Sequence, residues 1–154
     1  MSVILPGSYD PVTLGHLEII KRAAKENDEV YVVVFTNPDK TYTFSLEDRV
    51  KMLILATDEL ENVLVSFSTG FVIDYMREHG IEKIIKGYRN ECDLEYEKLQ
   101  AKWNLENGGF ETELWKADDS MSLISSTLAR EMIKKGEDLT GILPEKVISF
   151  IEKH

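Results

Sequence analysis

The chain has 154 residues, 43% of them hydrophobic, and a formal net charge of −10 at pH 7. That length suits one domain with a core of its own, spanning residues 1–154, and the acidic balance excludes a nucleic-acid binder, which needs a basic face to displace counterions. No apolar run approaches the roughly 18 residues of a membrane helix and no leader pattern opens the chain, so the expectation is a soluble, cytoplasmic protein with no membrane and no nucleic acid among its partners.

Val3-Ile4-Leu5 predicts a short buried strand that Pro6-Gly7 breaks, and Thr13 is the expected N-cap of a helix carrying Leu17, Ile20 and Ala24 on one face. Val30 to Phe35 is too uniformly apolar for an exposed strand and predicts a buried one. Asn37-Pro38-Asp39 interrupts the chain, and Ser45 to Asp48 resembles a capping box opening a helix with Val50, Leu53 and Ile54 inward. Val63 to Val65 is a third strand. Residues from about Phe71 to His79 form a helix stopped by Gly80, with His79 facing its negative end, and Ile81 to Ile85 form a fourth strand. A longer helix is expected from about Asp93 to Asn107, with Tyr96, Leu99 and Trp103 on one side, ended by Gly108-Gly109. Phe110 to Trp115 is a fifth strand. Ser125, Ser126 or Thr127 caps a helix ending near Gly136, and Pro144 opens a last helix through Ile148 and Ile151. Strands alternating with helices imply an α/β, Rossmann-like, five-stranded parallel sheet covered on both faces, with ligands at the carboxyl ends of the strands near the switch point. The only cysteine, Cys92, cannot form an internal disulfide, which fits a reducing compartment, and is expected to act as a small hydrophobe.

The stretch GSYDPVTLGH at positions 7–16 places a histidine just inside a strand-to-helix turn. Unpaired amides and the positive end of the helix dipole attract anions there, and the imidazole of His16 adds a donor. A surface histidine near a helix start is the plain alternative. The other strand ends discriminate, because a phosphate site needs cations or helix starts in several loops at once. Ser8 and His16 follow the first strand, Lys40 the second, Lys86 to Arg89 the fourth and Ser125 to Thr127 the fifth; Arg130 also lies beside a turn.

The motifs GSYDPVTLGH, NPDKTYTFSLEDR, GFVIDYMRE, KGYRNECDLEYE and ISSTLARE occur in that order from Gly7 to Glu131. In that arrangement the chain resembles the bacterial phosphopantetheine adenylyltransferases of the nucleotidylyltransferase superfamily. The first and last motifs belong to the whole superfamily; the Asp93 to Glu97 run followed by Asn104 is more discriminating. The resemblance implies transfer of the adenylyl group of ATP to 4'-phosphopantetheine in coenzyme A synthesis, giving dephospho-coenzyme A and pyrophosphate. It implies catalytic roles for His16, Lys40 and Arg89. It implies ATP contacts for Ser8, Tyr9, His16, Gly87, Tyr88, Arg89, Glu97, Ser125, Ser126 and Thr127, and phosphopantetheine contacts for Ser8, Lys40, Val72, Lys86, Asn104 and Glu131. Lys40 would bridge the attacking phosphate and the α-phosphate of ATP. The family is typically a homohexamer. It usually has arginine where this chain has Lys86, and lysine keeps the charge without the planar fork that binds two phosphate oxygens together. Tyr88 for leucine and Tyr9 for phenylalanine are smaller departures.

The implied nucleophile, a phosphate, is already anionic, which suits a chain with three histidines and no evident Ser-His-Asp arrangement. Mg²⁺ is expected to accompany the ATP phosphates, with no protein ligand assigned; Asp10 is close enough in sequence to be considered, and its simpler role is to hold the turn before Pro11. The alternatives are a related adenylyl- or cytidylyltransferase acting on another phosphate, and a non-catalytic nucleotide-binding regulatory module.

Overall fold

A computed structural model describes residues 1–154. Five strands and six α-helices alternate along the chain: β1 (Ser2–Gly7), α1 (Leu14–Glu26), β2 (Glu29–Phe35), α2 (Leu46–Ala56), β3 (Val63–Ser68), α3 (Val72–His79), β4 (Lys83–Tyr88), α4 (Glu91–Gly108), β5 (Thr112–Lys116), α5 (Ser126–Lys135) and α6 (Glu145–Lys153). A short 3₁₀ turn at Asp119–Met121 precedes α5. All strands are parallel, in the order β3-β2-β1-β4-β5, so the direction of winding reverses between β1 and β4. No helix is long and apolar enough to cross a membrane.

The pleat sends alternate residues of the central strands to opposite faces. Val3, Leu5, Val30, Val32, Val34 and Ile85 join Ile20, Met52, Leu53, Ala129, Val147 and Phe150 in the larger core, beneath α1, α2, α5 and α6. Ile4, Val33 and Ile84 face the other way, onto Tyr75, Met76 and Ile81. Both faces of the sheet are therefore covered.

Several sequence expectations need correction. β1 does not stop at Pro6-Gly7; both residues pair in register with Val33 and Val34 of β2. On the other side β1 pairs with β4 only at Val3 and Ile4, although β4 continues to Tyr88. A proline is tolerated in this central strand where its other neighbour has parted from it, since no ladder donor is needed on an open side. β4 is displaced from the expected 81–85, and α4 starts earlier than Asp93 because Asn90 caps it by accepting from the Asp93 amide. On α2, Leu53 is buried and Val50 packs on the core as expected, but Ile54 is half-exposed and Arg49 and Met52 are buried. Tyr96, Leu99 and Trp103 share a side of α4, but that side faces solvent, and the helix buries no residue. Cys92 is exposed rather than packed. Among the caps, Thr13, Ser45 and Gly80 hold as expected, and Ser125 is the N-cap of α5. His79 does face the end of its helix, its Nδ1 2.9 Å from the Tyr75 carbonyl.

Candidate active site

The parting of β1 from β4 opens a crevice at the carboxyl ends of the strands, where open α/β sheets bind ligands. Its first wall is the turn after β1. A Cβ on Gly7 would lie 3.0 Å from the Tyr9 ring, so glycine leaves that ring room to fold back. Tyr9 takes a left-handed conformation (φ 47°), is buried, and donates its hydroxyl to the Leu5 carbonyl at 2.9 Å. Burial also holds its phenol well above the usual range. Tyr9 is thus a core residue that lines the crevice with its ring, and its hydroxyl is committed internally. Asp10 accepts from the amides of Thr43 (2.8 Å) and Phe44 (2.9 Å), so it ties the β2–α2 loop to this turn.

Thr13 caps α1, and His16 closes a capping box with it: the Thr13 amide donates to His16 Nδ1 at 3.0 Å. An N3 glutamate or glutamine usually plays that part. With Nδ1 accepting an N–H, the ring proton resides on Nε2, the edge turned away from the helix cap. Burial, and then the charges of Lys86 and Arg89, lower the imidazole pKa to about 4. His16 is therefore a neutral hydrogen-bond donor at neutral pH.

Two cavities occupy the crevice. One, of about 480 Å³, is lined by Ser8, Tyr9, His16, Lys86, Gly87, Tyr88, Arg89, Glu97 and Ser125 to Thr127, together with Asp93 and Arg130. Arg89 is clamped by Asp93, which accepts from its Nε at 2.8 Å and its Nη2 at 3.1 Å and also from its amide. Gly87 lets β4 pass α1 closely, since a Cβ there would lie 3.0 Å from Ile19 Cγ1. At the start of α5 the hydroxyls are used internally: Ser125 accepts from Leu128, Ser126 donates to the Pro11 carbonyl at 2.8 Å, and Thr127 accepts from Arg130. Left for an anion are the hydroxyl protons of Ser125 and Thr127, which only accept in these bonds, and the first amides of the helix, which have no backbone partner within it.

The second cavity, of about 560 Å³, holds Ser8, Lys40, Val72, Lys86 and Asn104, with Thr36, Tyr42, Gln100 and Thr112 among its other walls. Six residues, Pro6, Gly7, Ser8, Lys86, Tyr96 and Glu97, line both cavities. In that shared wall the Lys86 ammonium donates to the Pro6 carbonyl at 3.1 Å and lies 3.6 Å from Glu97. The other Glu97 oxygen is buried without a partner. Burial raises the Glu97 pKa, against the opposing pull of Lys86. Lys86 belongs to β4 itself and not to the following turn.

Of the residues expected together, two stand apart. Lys40 is exposed, its Nζ 5.7 Å from the centroid of the Tyr42 ring, and lines the second cavity alone, so it does not bridge the two in this conformation. Glu131 is exposed on α5 and lines neither cavity. Sequence reasoning missed Asp93 as the clamp on Arg89, although their i,i+4 spacing signalled it. It also gave no role to Arg130, which donates to the Asp10 carbonyl at 2.8 Å and ties α5 to the first turn.

The cytidylyltransferase-like family profile matches residues 4–132. The phosphopantetheine adenylyltransferase of Corynebacterium efficiens is 39% identical over 154 residues, covering 99% of this chain and 97% of that protein. The protein of the same name from Corynebacterium glutamicum is 39% identical over 152 residues, covering 98% of this chain and 95% of its own.

Proposed function

This chain belongs to the phosphopantetheine adenylyltransferase family, and from that premise we propose that it transfers the adenylyl group of ATP to 4'-phosphopantetheine, releasing dephospho-coenzyme A and pyrophosphate. The observation that carries the reading is the pair of cavities joined through Ser8, Lys86 and Glu97. Two anionic substrates held in adjoining chambers meet where their cations and helix starts converge.

A phosphate oxygen of phosphopantetheine attacks the α-phosphorus of ATP; the new O–P bond forms as the bond to the β-phosphate oxygen breaks, and pyrophosphate leaves with the electron pair. The attacking oxygen is already charged, so the protein has only to align the reactants and neutralise the developing charge. In this reading the Nε2–H of His16 donates to a non-bridging oxygen of the α-phosphate, and its neutrality leaves that proton in place. Arg89, held by Asp93 through Nε and Nη2, retains Nη1 for the nucleotide phosphates. The first amides of α5 receive the outgoing pyrophosphate, and Tyr88 and Glu97 flank the nucleoside. Lys86 and Lys40 draw the acceptor phosphate, and Val72 and Asn104 contact the pantetheine arm.

Mg²⁺ enters in this proposal as part of the substrate, on the phosphates of ATP. No group of three or more His, Cys, Asp or Glu side chains is arranged to hold a metal. Of the carboxylates around the site, Asp10 is committed to backbone amides and Asp93 to Arg89, and Glu97 lies 3.6 Å from Lys86. We also propose a cytoplasmic homohexamer. The solvent-facing Tyr96, Leu99 and Trp103 of α4, with Phe71 stacked on Trp103, supply an apolar surface for a second copy.

Purified protein supplied with ATP or CTP, and with phosphopantetheine or a simple phosphomonoester, tests the reading. Pyrophosphate release only with ATP and phosphopantetheine is the expected result. Equal release with CTP, or with the simple ester, refutes the substrate assignment, and no release with any pair refutes the activity.

A further inference from the structure

Arg49 is only 2% exposed and ranks among the largest fully buried side chains of the protein. None of the ion pairs in the molecule includes it. A buried cation without a carboxylate partner is a burden on stability that an apolar residue at the same inward position of α2 would not impose. What the guanidinium does instead is join three separate segments. Its Nη1 donates to the Ser8 carbonyl at 3.1 Å, its Nη2 to Thr36 Oγ1 at 2.9 Å and its Nε to the Phe44 carbonyl at 3.1 Å. The face of the guanidinium lies 3.9 Å from the centroid of the Tyr42 ring, and the Tyr42 hydroxyl accepts from the Asn37 amide at 2.9 Å.

Each of these contacts bears on the Lys40-containing cavity. Ser8, Thr36, Asn37 and Tyr42 all line it, and residues 36–44 form the loop that carries Lys40. Asp10 grips one end of that loop through the Thr43 and Phe44 amides, while Arg49 grips both ends and the aromatic ring between them. Arg49 itself lines neither cavity.

We propose that Arg49 is a positioning residue for the acceptor phosphate: it sets the Ser8 turn and the Lys40 loop in register, acting through them and not on substrate. The inference rests on the reading that this cavity takes phosphopantetheine. Only a planar fork reaches three acceptors in three directions, so lysine at this position keeps the charge and loses the frame. Of the groups Arg49 holds, only the Ser8 turn also lines the nucleotide cavity, whose other walls, Arg89, His16 and α5, it does not touch, so its loss falls more heavily on the acceptor than on ATP.

The test compares wild type with Arg49→Lys and with Arg49→Met, which removes the charge at similar volume. Two readouts are taken, steady-state constants for both substrates and amide hydrogen exchange over residues 36–44. The KM for phosphopantetheine is expected to rise about tenfold or more with that for ATP changing less than about threefold. Exchange in the 36–44 segment is expected to accelerate while α1 and α5 keep their protection. An unchanged acceptor KM, equal rises in both KM values, or unchanged exchange in the loop overturns the proposal. If the methionine variant does not fold, the lysine variant decides alone. A wild-type protein that makes no pyrophosphate refutes the proposed function instead, and the exchange comparison still settles whether Arg49 holds the loop.

Discussion

Replacing His16 tests the catalytic role proposed for a ring that also caps a helix. Its Nδ1 stabilises the start of α1 by accepting the Thr13 amide, and its ring lines the nucleotide cavity, where Nε2–H is the donor proposed for the α-phosphate. His16→Ala removes both. The cap contribution is about 1 kcal/mol, and a single donor to transition-state charge in a water-poor site is worth about 3 kcal/mol, on the order of a hundredfold or more in kcat. His16→Asn places an amide oxygen near the position of Nδ1 and nothing at that of Nε2, so it keeps the cap and withdraws the donor. Pyrophosphate release at saturating ATP and phosphopantetheine gives kcat, and thermal or denaturant unfolding gives stability. Both variants are expected to lose about the same factor in kcat, while only the alanine protein loses stability. A folded His16→Asn protein turning over at the wild-type rate would refute the transition-state role, and equal stability of wild type and His16→Ala would refute the cap.

The same ring predicts a pH dependence. With its folded pKa lowered from 6.5 to about 4, the unfolded chain takes up the proton first, so stability present above pH 6.5 is lost as the pH falls toward 4, by about 3 kcal/mol. His16→Asn flattens that slope, and an imidazole NMR titration of the free wild-type protein with a midpoint near 6.5 would contradict the account. Asp93→Ala releases Arg89 from both of its side-chain bonds, and the KM for ATP is expected to rise about tenfold; an unchanged value would show that the clamp is dispensable. Lys86→Arg restores a fork at the wall between the cavities and is expected to preserve or improve kcat/KM for phosphopantetheine. A large loss specific to that substrate would mean the cavity is shaped for another acceptor.

The order of elements was legible because buried parallel strands are continuous apolar runs and their helices carry strong stop signals, such as Gly80 and Gly136 in left-handed C-caps. Strand ends were less so. A proline usually ends a strand or sits at an edge, and the divergence of β4 from β1, a tertiary fact, lets Pro6 continue one here. On α2 the expected inward residues Val50 and Leu53 do face the core, and what was missed is Arg49, since a sequence pattern gives arginine to solvent. Within the candidate site, the residues at strand ends could be placed at one crevice because parallel strands all end at the same edge of the sheet. Of the side chains that hold them in place, Arg130 and Arg49 were not found because their contacts close only when distant segments meet, whereas Asp93 was missed although it lies four residues from Arg89.

Helix α4 supplies Asp93, Tyr96 and Glu97 to one cavity and Tyr96, Glu97, Gln100 and Asn104 to the other, yet it places no side chain in the core. Within one copy of the chain the partition between the two chambers is therefore a helix with no buried side chain, the kind of element that opens more readily than a central sheet. Ligands that fill the chambers tether it, so occupancy by either substrate raises the melting temperature, and a nucleotide already seated lowers the ordering penalty left for its co-substrate.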